Sequence, residues 1–450
     1  MVAKDFTTRT TPPQRRRIFK LVLIICWFAV FFDGLDTFMY GATLSSMKAD
    51  AVFGMTAAQA GNIGSLATFG MLVGALTAGT LTDLIGRRWG VILCCALFSI
   101  ASAGCALAST ASLFGFWRVV AGLGLGGLLP TAIAIVSEYS TDSRRNLTIG
   151  ILMTGHQAGG IIAPLLGLMM IPGWGWRSLY WVGVLPLFII VPLVLLFLPE
   201  SLAFLTAKGR HKEAGELAEK LGFEDSLRGR NEKQAKGTLL SNIAQLFKGR
   251  NAIITPLFWV GSFGGLLLVY GMSTWLPSLM QSLGYNLGNS LLLLGIINAG
   301  GIIGMLIAGT VSDRLGPLRV SMLWFFITAV GILTMGIHVN IAVTYVIVFF
   351  TGIFLFSAQT MIYAAVVHVF PAETRGTALG WTTGIGRFGA VFGPWMGGQL
   401  FALGFEGWGF AAFASFAIWS MIMLLLIQIV VRSNRRIKDN SEPIAAPALP

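Results

Sequence analysis

Runs of about 20 apolar residues, long enough to cross the hydrocarbon core of a bilayer as a helix, can be placed twelve times along the chain. They fall near 18–42, 60–82, 89–108, 112–136, 147–171, 178–198, 253–280, 288–311, 319–337, 341–365, 377–400 and 407–431. Short polar stretches separate them, except for one longer connector, 199–250, rich in Lys, Arg and Glu. The pattern predicts an all-α membrane protein with twelve transmembrane helices. Within the connector, LTAKGRHKEAGELAEKLG is expected to include a short amphipathic helix whose charges form a solvated surface.

Composition supports the same picture. Hydrophobic residues make up 55% of the 450 and charged ones only 11%, against about 25% charged in soluble proteins. The mean hydropathy is +0.77. Fifty-six glycines fit as well, since glycine is commoner in membrane helices than in soluble ones. A net charge of +12 could point to nucleic acid, so the placement of the charges matters. Of the 31 Lys and Arg, only Lys48 and Arg177 fall in outer loops, and Arg118 and Arg387 lie within spans. The remaining 27 (31 − 4) lie on the other side, which the positive-inside rule makes cytoplasmic. The basic charge therefore orients the chain with both termini cytoplasmic, and needs no nucleic-acid partner. The first apolar run has basic residues before it but is long and lacks a small-residue cleavage site, so a retained span is expected rather than a signal peptide. Cys26, Cys94, Cys95 and Cys105 all sit in apolar runs without CxxC or Cys/His spacing, and neither a disulfide, a metal nor a cofactor is expected.

The chain repeats itself. GTLTDLIGRR at 79–88 and GTVSDRLGPL at 309–318 share their glycines and an aspartate, with 313 − 83 = 230. The same offset relates Arg145 to Arg375, Gly150 to Gly380, Gly159 to Gly389 and Pro164 to Pro394. The expected organisation is a cytoplasmic N-terminus (1–17), a six-helix bundle (18–198), a cytoplasmic linker (199–250), a second six-helix bundle (251–431) and a cytoplasmic tail (432–450). Internal repeats of this kind are typical of secondary transporters, whose substrate site lies between the halves near the bilayer midplane.

Across roughly residues 15–435 the sequence resembles the major facilitator superfamily. The resemblance is carried by Gly79-x-x-x-Asp83-x-x-Gly86-Arg87-Arg88, its copy from Gly309, FWRVVAGLGLGGLLP at 116–130 and LPES at 198–201. Leu84 departs from the loop motif, where a basic residue is usual; Arg314 keeps it in the second copy. Within the superfamily the chain is most similar to the aromatic acid/proton symporter family (benzoate, hydroxybenzoate and gentisate transporters). The residues are Asp33-Gly34-Leu35-Asp36, Thr274 to Pro277, Gln359 and Tyr363, and GIGRFGAVFGP at 384–394. The resemblance implies a monomer that takes up a small aromatic carboxylate in symport with protons, by alternating access. It also implies that Asp83, Arg87, Arg88, Asp313 and Arg314 form inter-helix latches, and that Glu138 acts in the cycle. A surface ion pair with Arg144 or Arg145 accounts for Glu138 equally well.

Two acids in span one need a reason. An Asp near a helix centre costs roughly 2.5–3.5 kcal/mol, and each Leu, Ile, Phe or Val returns about 0.3–0.6 kcal/mol. Thirteen such residues from Ile18 to Gly41 return about 4–8 kcal/mol against about 5–7 kcal/mol for the two acids. A spacing of three puts both carboxylates on one helical face, and such groups face the bundle interior. Asp33 and Asp36 are the candidate proton carriers; a structural pair with Arg118 is the alternative. Counted at 1.5 Å per residue, Arg118 and Asp36 reach similar depth. Arg118 and Arg387 are candidate partners of an anionic substrate, Arg118 doing this or neutralising an aspartate. His156, Gln359 and Tyr363 are candidate hydrogen-bonding residues, and Trp275 (or Trp381) a candidate ring to stack on a substrate ring.

A same-fold carrier of sugar, another organic anion or a drug exchanged for protons is the alternative function. A membrane enzyme or ATP-driven pump is the least favoured reading: the chain has no GxxxxGK[ST] and no HExxH.

Overall fold

A computed structural model describes residues 13–140, 145–221 and 244–441. The expected N-terminal segment up to residue 12, linker residues 222–243 and tail residues 442–450 lie outside the described residues, as does Arg144. Among the described residues the chain is helical, without strands. The long helices are α1 (Pro13–Ala49), α2 (Ala57–Ile85), α3 (Arg87–Leu107), α4 (Ala111–Tyr139) and α5 (Arg145–Trp174). Two shorter pieces, α6 (Arg177–Val182) and α7 (Leu185–Phe197), follow, then α8 (Leu202–Ala207) and α9 (His211–Leu221). After the linker come α10 (Asn251–Ser282), α11 (Leu287–Leu315), α12 (Pro317–Met335), α13 (Ile341–Val369), α14 (Ala372–Ala402) and α15 (Gly409–Ser441).

With α6 and α7 taken as one span, eleven helices among the described residues are long and apolar enough to cross a bilayer. The twelfth is α14, at 31 residues long enough, whose eight glycines and two arginines hold its hydropathy down. The sixth span breaks at Gly183–Val184, where Pro186 starts the second piece. A side chain at Gly183 would also press on the Ser102 hydroxyl. The expected linker helix is α9.

Starts and stops follow local chemistry. Thr110, Asn286 and Ser201 accept hydrogen bonds from the backbone amides of Leu113, Asn289 and Phe204, satisfying amides that have no partner in a first turn. The two copies of the loop motif turn on glycines with φ of +98° at Gly86 and +85° at Gly316, a region that disfavours any residue with a Cβ.

The repeat seen in the sequence recurs as packing. Gly70 and Gly74 of α2 press on the carbonyl oxygens of Val119 and Leu123 in α4. Gly300 and Gly304 of α11 press on those of Phe349 and Ile353 in α13. The offset is 300 − 70 = 304 − 74 = 349 − 119 = 353 − 123 = 230. A third pair joins them: Gly159 of α5 meets the α1 backbone at Phe31 and Leu35, while Gly389 of α14 meets the α10 backbone at Phe263. Lipid supplies no hydrophobic drive for one helix to join another, so van der Waals contact between closely approaching backbones takes its place.

The chain divides into two compact units. The first holds residues up to Thr37, Gly70–Gly159 and Arg177 onward to the linker; the second holds Phe38–Phe69, Gly160–Trp176 and α10 to α15. Within the second unit the far parts of α1, α2 and α5 pack on α10, α14 and α11. Gly41 meets the Ser273 carbonyl, Gly61 meets Gly398, and Gly160 meets Asn298.

At Gly304 a larger side chain must push the Ile353 backbone away. Gly304→Val is expected to destabilise the protein by about 1–3 kcal/mol, whereas Gly380→Ala, with no atom near its added methyl, leaves stability unchanged or higher. Thermal unfolding of the detergent-purified variants measures both.

Candidate functional site

The two aspartates of α1 take different partners. Three residues along a helix turn the side chain by about 300°, leaving about 60° between the two directions. Asp36 points to α3 and α4. Its Oδ2 lies 2.7 Å from Nη1 of Arg118, and its Oδ1 accepts a hydrogen bond from Ser102 at 3.0 Å. Both side chains of this pair are sealed, 0% exposed for Asp36 and 4% for Arg118. Asp33 points to α5, where its Oδ2 is 3.8 Å from Nε2 of His156. Asp33 is 2% exposed and His156 16%. This second contact depends on Gly34, which lies against the His156 backbone, so that any side chain there would force α1 and α5 apart. All of these residues belong to the first unit.

The second unit carries its own polar group. Nε2 of Gln359 on α13 donates to the Ser262 hydroxyl on α10 at 3.0 Å. Tyr363, one turn along α13, is in hydrogen-bonding reach of Gln359, Ser262 and Thr383, and in electrostatic range of Arg387. Oε1 of Gln359 has no hydrogen bond and is aimed at Gly265. Arg387 of α14 is half-buried. Among the described residues no carboxylate lies within ion-pair distance of it. Two cations buried in spans thus stand in opposite situations: Arg118 is neutralised and Arg387 is not.

Trp275 is elsewhere. It lies 13 residues beyond Ser262 on α10, roughly 20 Å along the helix axis, and is fully buried. Its indole donates to the Pro394 carbonyl at 2.8 Å and stacks on Phe401 at 4.8 Å. The Lys48 ammonium caps both rings, 5.4 Å from the Trp275 centroid and 4.8 Å from that of Phe401. Trp381 stacks on Trp259. The tryptophans singled out for a substrate ring are both engaged with other aromatics.

The motif residues between α2 and α8 form a third cluster, in the first unit. Arg87 pairs with Glu138, whose Oε2 accepts from Ser201 at 2.6 Å. The Arg88 amide donates to Glu200 Oε1 at 3.1 Å, and the Tyr139 hydroxyl donates to the Glu200 carbonyl at 3.0 Å. Gly86 is pressed against the Glu200 carboxylate. Glu138 takes Arg87 as its partner; Arg144 and the side chains of Asp83 and Arg145 lie outside the described residues. Asp313 and Arg314 are exposed and join no ion pair among the described residues. No group of three metal-ligating side chains exists among the described residues.

Ser102, Ser262 and Thr383 were not anticipated, whereas Glu200 lies in the LPES motif. Thr383 carried a signal, standing one turn before Arg387 on the same face; the serines, set among alanines and glycines, carried none.

Twelve spans in two related halves, with paired and unpaired charges buried inside them, describe a membrane carrier. The chain belongs to the major facilitator superfamily, whose family model matches residues 26–394. It is 32% identical to the gentisate transporter of Corynebacterium glutamicum, over 90% of this chain and 85% of the relative. It is 31% identical to the benzoate transport protein of Acinetobacter baylyi (94% and 91%) and 31% identical to a gallate transporter of Pseudomonas putida (85% and 86%). Its fold matches the inward-open xylose transporter XylE from E. coli with a TM-score of 0.73 at 15% identity, covering 91% of this chain and 95% of that one. The protein is thus a multi-pass membrane transporter and not an enzyme, and the aromatic-acid resemblance read from its motifs agrees with its relatives.

Removing one partner of the buried pair strands the other. Arg118→Leu is expected to cost about 3–5 kcal/mol of stability, while the double variant Asp36→Leu/Arg118→Leu recovers most of the loss. Thermal unfolding in detergent distinguishes the two.

Proposed function

We propose that the protein takes up an aromatic carboxylate of the benzoate, hydroxybenzoate or gentisate class together with protons, by alternating access, with both termini in the cytoplasm of a bacterium. One observation carries the reading: Arg387 is a permanent cation in a membrane helix with no counter-ion among the described residues. An isolated charge at such depth is rare and functional where it occurs. A guanidinium offers a planar fork that matches a carboxylate bidentately. A substrate carboxylate would supply the missing charge.

The neighbours of Arg387 suit the rest of such a molecule. Gln359, Tyr363, Ser262 and Thr383 offer hydroxyl and amide groups to a ring hydroxyl, and the unsatisfied Oε1 of Gln359 is an acceptor in search of a donor. The compounds named for the relatives, gentisate, benzoate and gallate, are all ring carboxylates. The acids of α1 supply the proton side of the cycle. Trp275 is assigned no substrate contact, because its ring is already covered. Arg87, Arg88 and Glu138, tied to Glu200 and Ser201, are assigned to the conformational cycle.

Arg387→Met removes a charge-assisted contact worth about 1.5–3 kcal/mol, so uptake of a labelled ring acid into proteoliposomes at subsaturating concentration should fall roughly 10–100-fold. Arg387→Lys keeps the charge but not the fork and should fall in between. Uptake unaffected by Arg387→Met, or competition by sugars and not by ring acids, overturns the proposal.

A further inference from the structure

Resting on the reading just given, we infer that the coupling proton is carried by the Asp33–His156 pair alone, that the Asp36–Arg118 pair stays ionised throughout, and that transport is therefore one proton per monoanion and electroneutral. The two acids of α1 had looked interchangeable. Their surroundings are not.

Asp36 is committed. A guanidinium at 2.7 Å and the Ser102 hydroxyl at 3.0 Å occupy its two oxygens, and neither member of the ion pair reaches solvent. Protonating Asp36 would leave a permanent, sealed cation without its counter-ion, the kind of buried charge that is least tolerated. The pair is neutral as it stands, and carrying a proton would give it a positive charge.

Asp33 is poised. Its partner is an imidazole, whose ring nitrogen can accept a proton and give it up again. Loaded with one proton the pair is neutral, whether the proton sits on the carboxyl or on the ring; unloaded it carries one negative charge. At 3.8 Å the two groups are about 1 Å from direct hydrogen-bonding distance. A small shift of α5 against α1, or one bridging water, would therefore pass the proton between them. The exposures order the steps, since the His156 side chain is 16% exposed and that of Asp33 2%. A proton arrives and leaves through His156 Nε2 and is held on Asp33.

Other titratable groups lie near the pair. Cys94 and Cys95 of α3 lie within electrostatic range of Asp33, and both are buried thiols. Asp36, one turn along α1, is matched by Arg118 of α4. On α5 the next residue, Gln157, is uncharged.

Purified protein in liposomes tests this with radiolabelled benzoate, under a pH gradient at zero voltage and then under a potassium diffusion potential at equal pH. If one net charge moved, 100 mV would drive roughly 50-fold accumulation. Electroneutral coupling predicts none, while one unit of pH drives about 10-fold accumulation. Asp33→Asn and His156→Gln should each flatten the pH profile of uptake to less than about 2-fold over the range in which the wild type changes about 10-fold. Voltage-driven accumulation by the wild type, or an unaltered pH profile in both variants, overturns the inference. The voltage measurement needs no variant to fold. Absence of ring-acid uptake under any gradient would instead overturn the functional reading on which the inference rests.

Discussion

A full charge in hydrocarbon must be matched by another or be put to use, and this one constraint organises the molecule. Membrane insertion penalises each ionised side chain by several kcal/mol, so the four deep ones, Asp33, Asp36, Arg118 and Arg387, cannot be incidental. The Asp36–Arg118 pair meets the constraint within the protein, and does so across helices α1 and α4, with Ser102 of α3 as the third partner. It therefore ties three spans of the first unit at one depth. Arg387 has no carboxylate at ion-pair distance among the described residues. The contrast between these two arginines is what the proposed substrate contact rests on.

The internal repeat sharpens this. Backbone packing is copied from half to half at the same offset, as the α2–α4 and α11–α13 contacts show. The polar residues at depth are not copied. The counterpart of Arg387 in the first half is Gln157 (387 − 230 = 157), and the counterparts of Asp33 and Asp36 are Phe263 and Leu266. A duplicated scaffold thus retains the close glycine contacts that hold helices together, while acids have accumulated in one copy and a lone cation in the other. Symmetry belongs to the frame and asymmetry to the chemistry.

What could be read from the chain divides along the same line. Spans were legible because hydrocarbon imposes a length, and the match of Asp36 with Arg118 was legible because depth grows linearly with residue number along a helix. Gly86 and Gly316 were legible as motif glycines, and their positive φ shows why a glycine is needed there. Rotation about each helix axis was not legible. Spacing placed Asp33 and Asp36 on one face, yet the 60° between them sends one to α5 and the other to α3 and α4. The same limit hid the Lys48 ammonium above the Trp275–Phe401 stack, which joins α1 to α10 and α14, and the choice of Arg87 as the partner of Glu138. Gly183 and Pro186 did signal the break between α6 and α7, but a hydropathy window averages over such a break.

The second unit is held together by many weak contacts. There the far parts of α1, α2 and α5 meet α10, α11 and α14 through glycine contacts at Gly41, Gly61 and Gly160, one hydrogen bond from Ser65 to the Val391 carbonyl at 2.7 Å, and a hydroxyl pair, Ser45 and Ser278, at 3.2 Å. The charged element is Lys48, held by rings and not by a carboxylate in contact. A neutral hydrogen bond contributes about 0.5–1.5 kcal/mol net and a cation–π contact about 0.5–2 kcal/mol, far less than the penalty for breaking a buried ion pair. Close fit in shape, more than charge, holds these helices together. The strong pair, Asp36 with Arg118, lies instead between helices of the first unit, where breaking it would strand a buried charge.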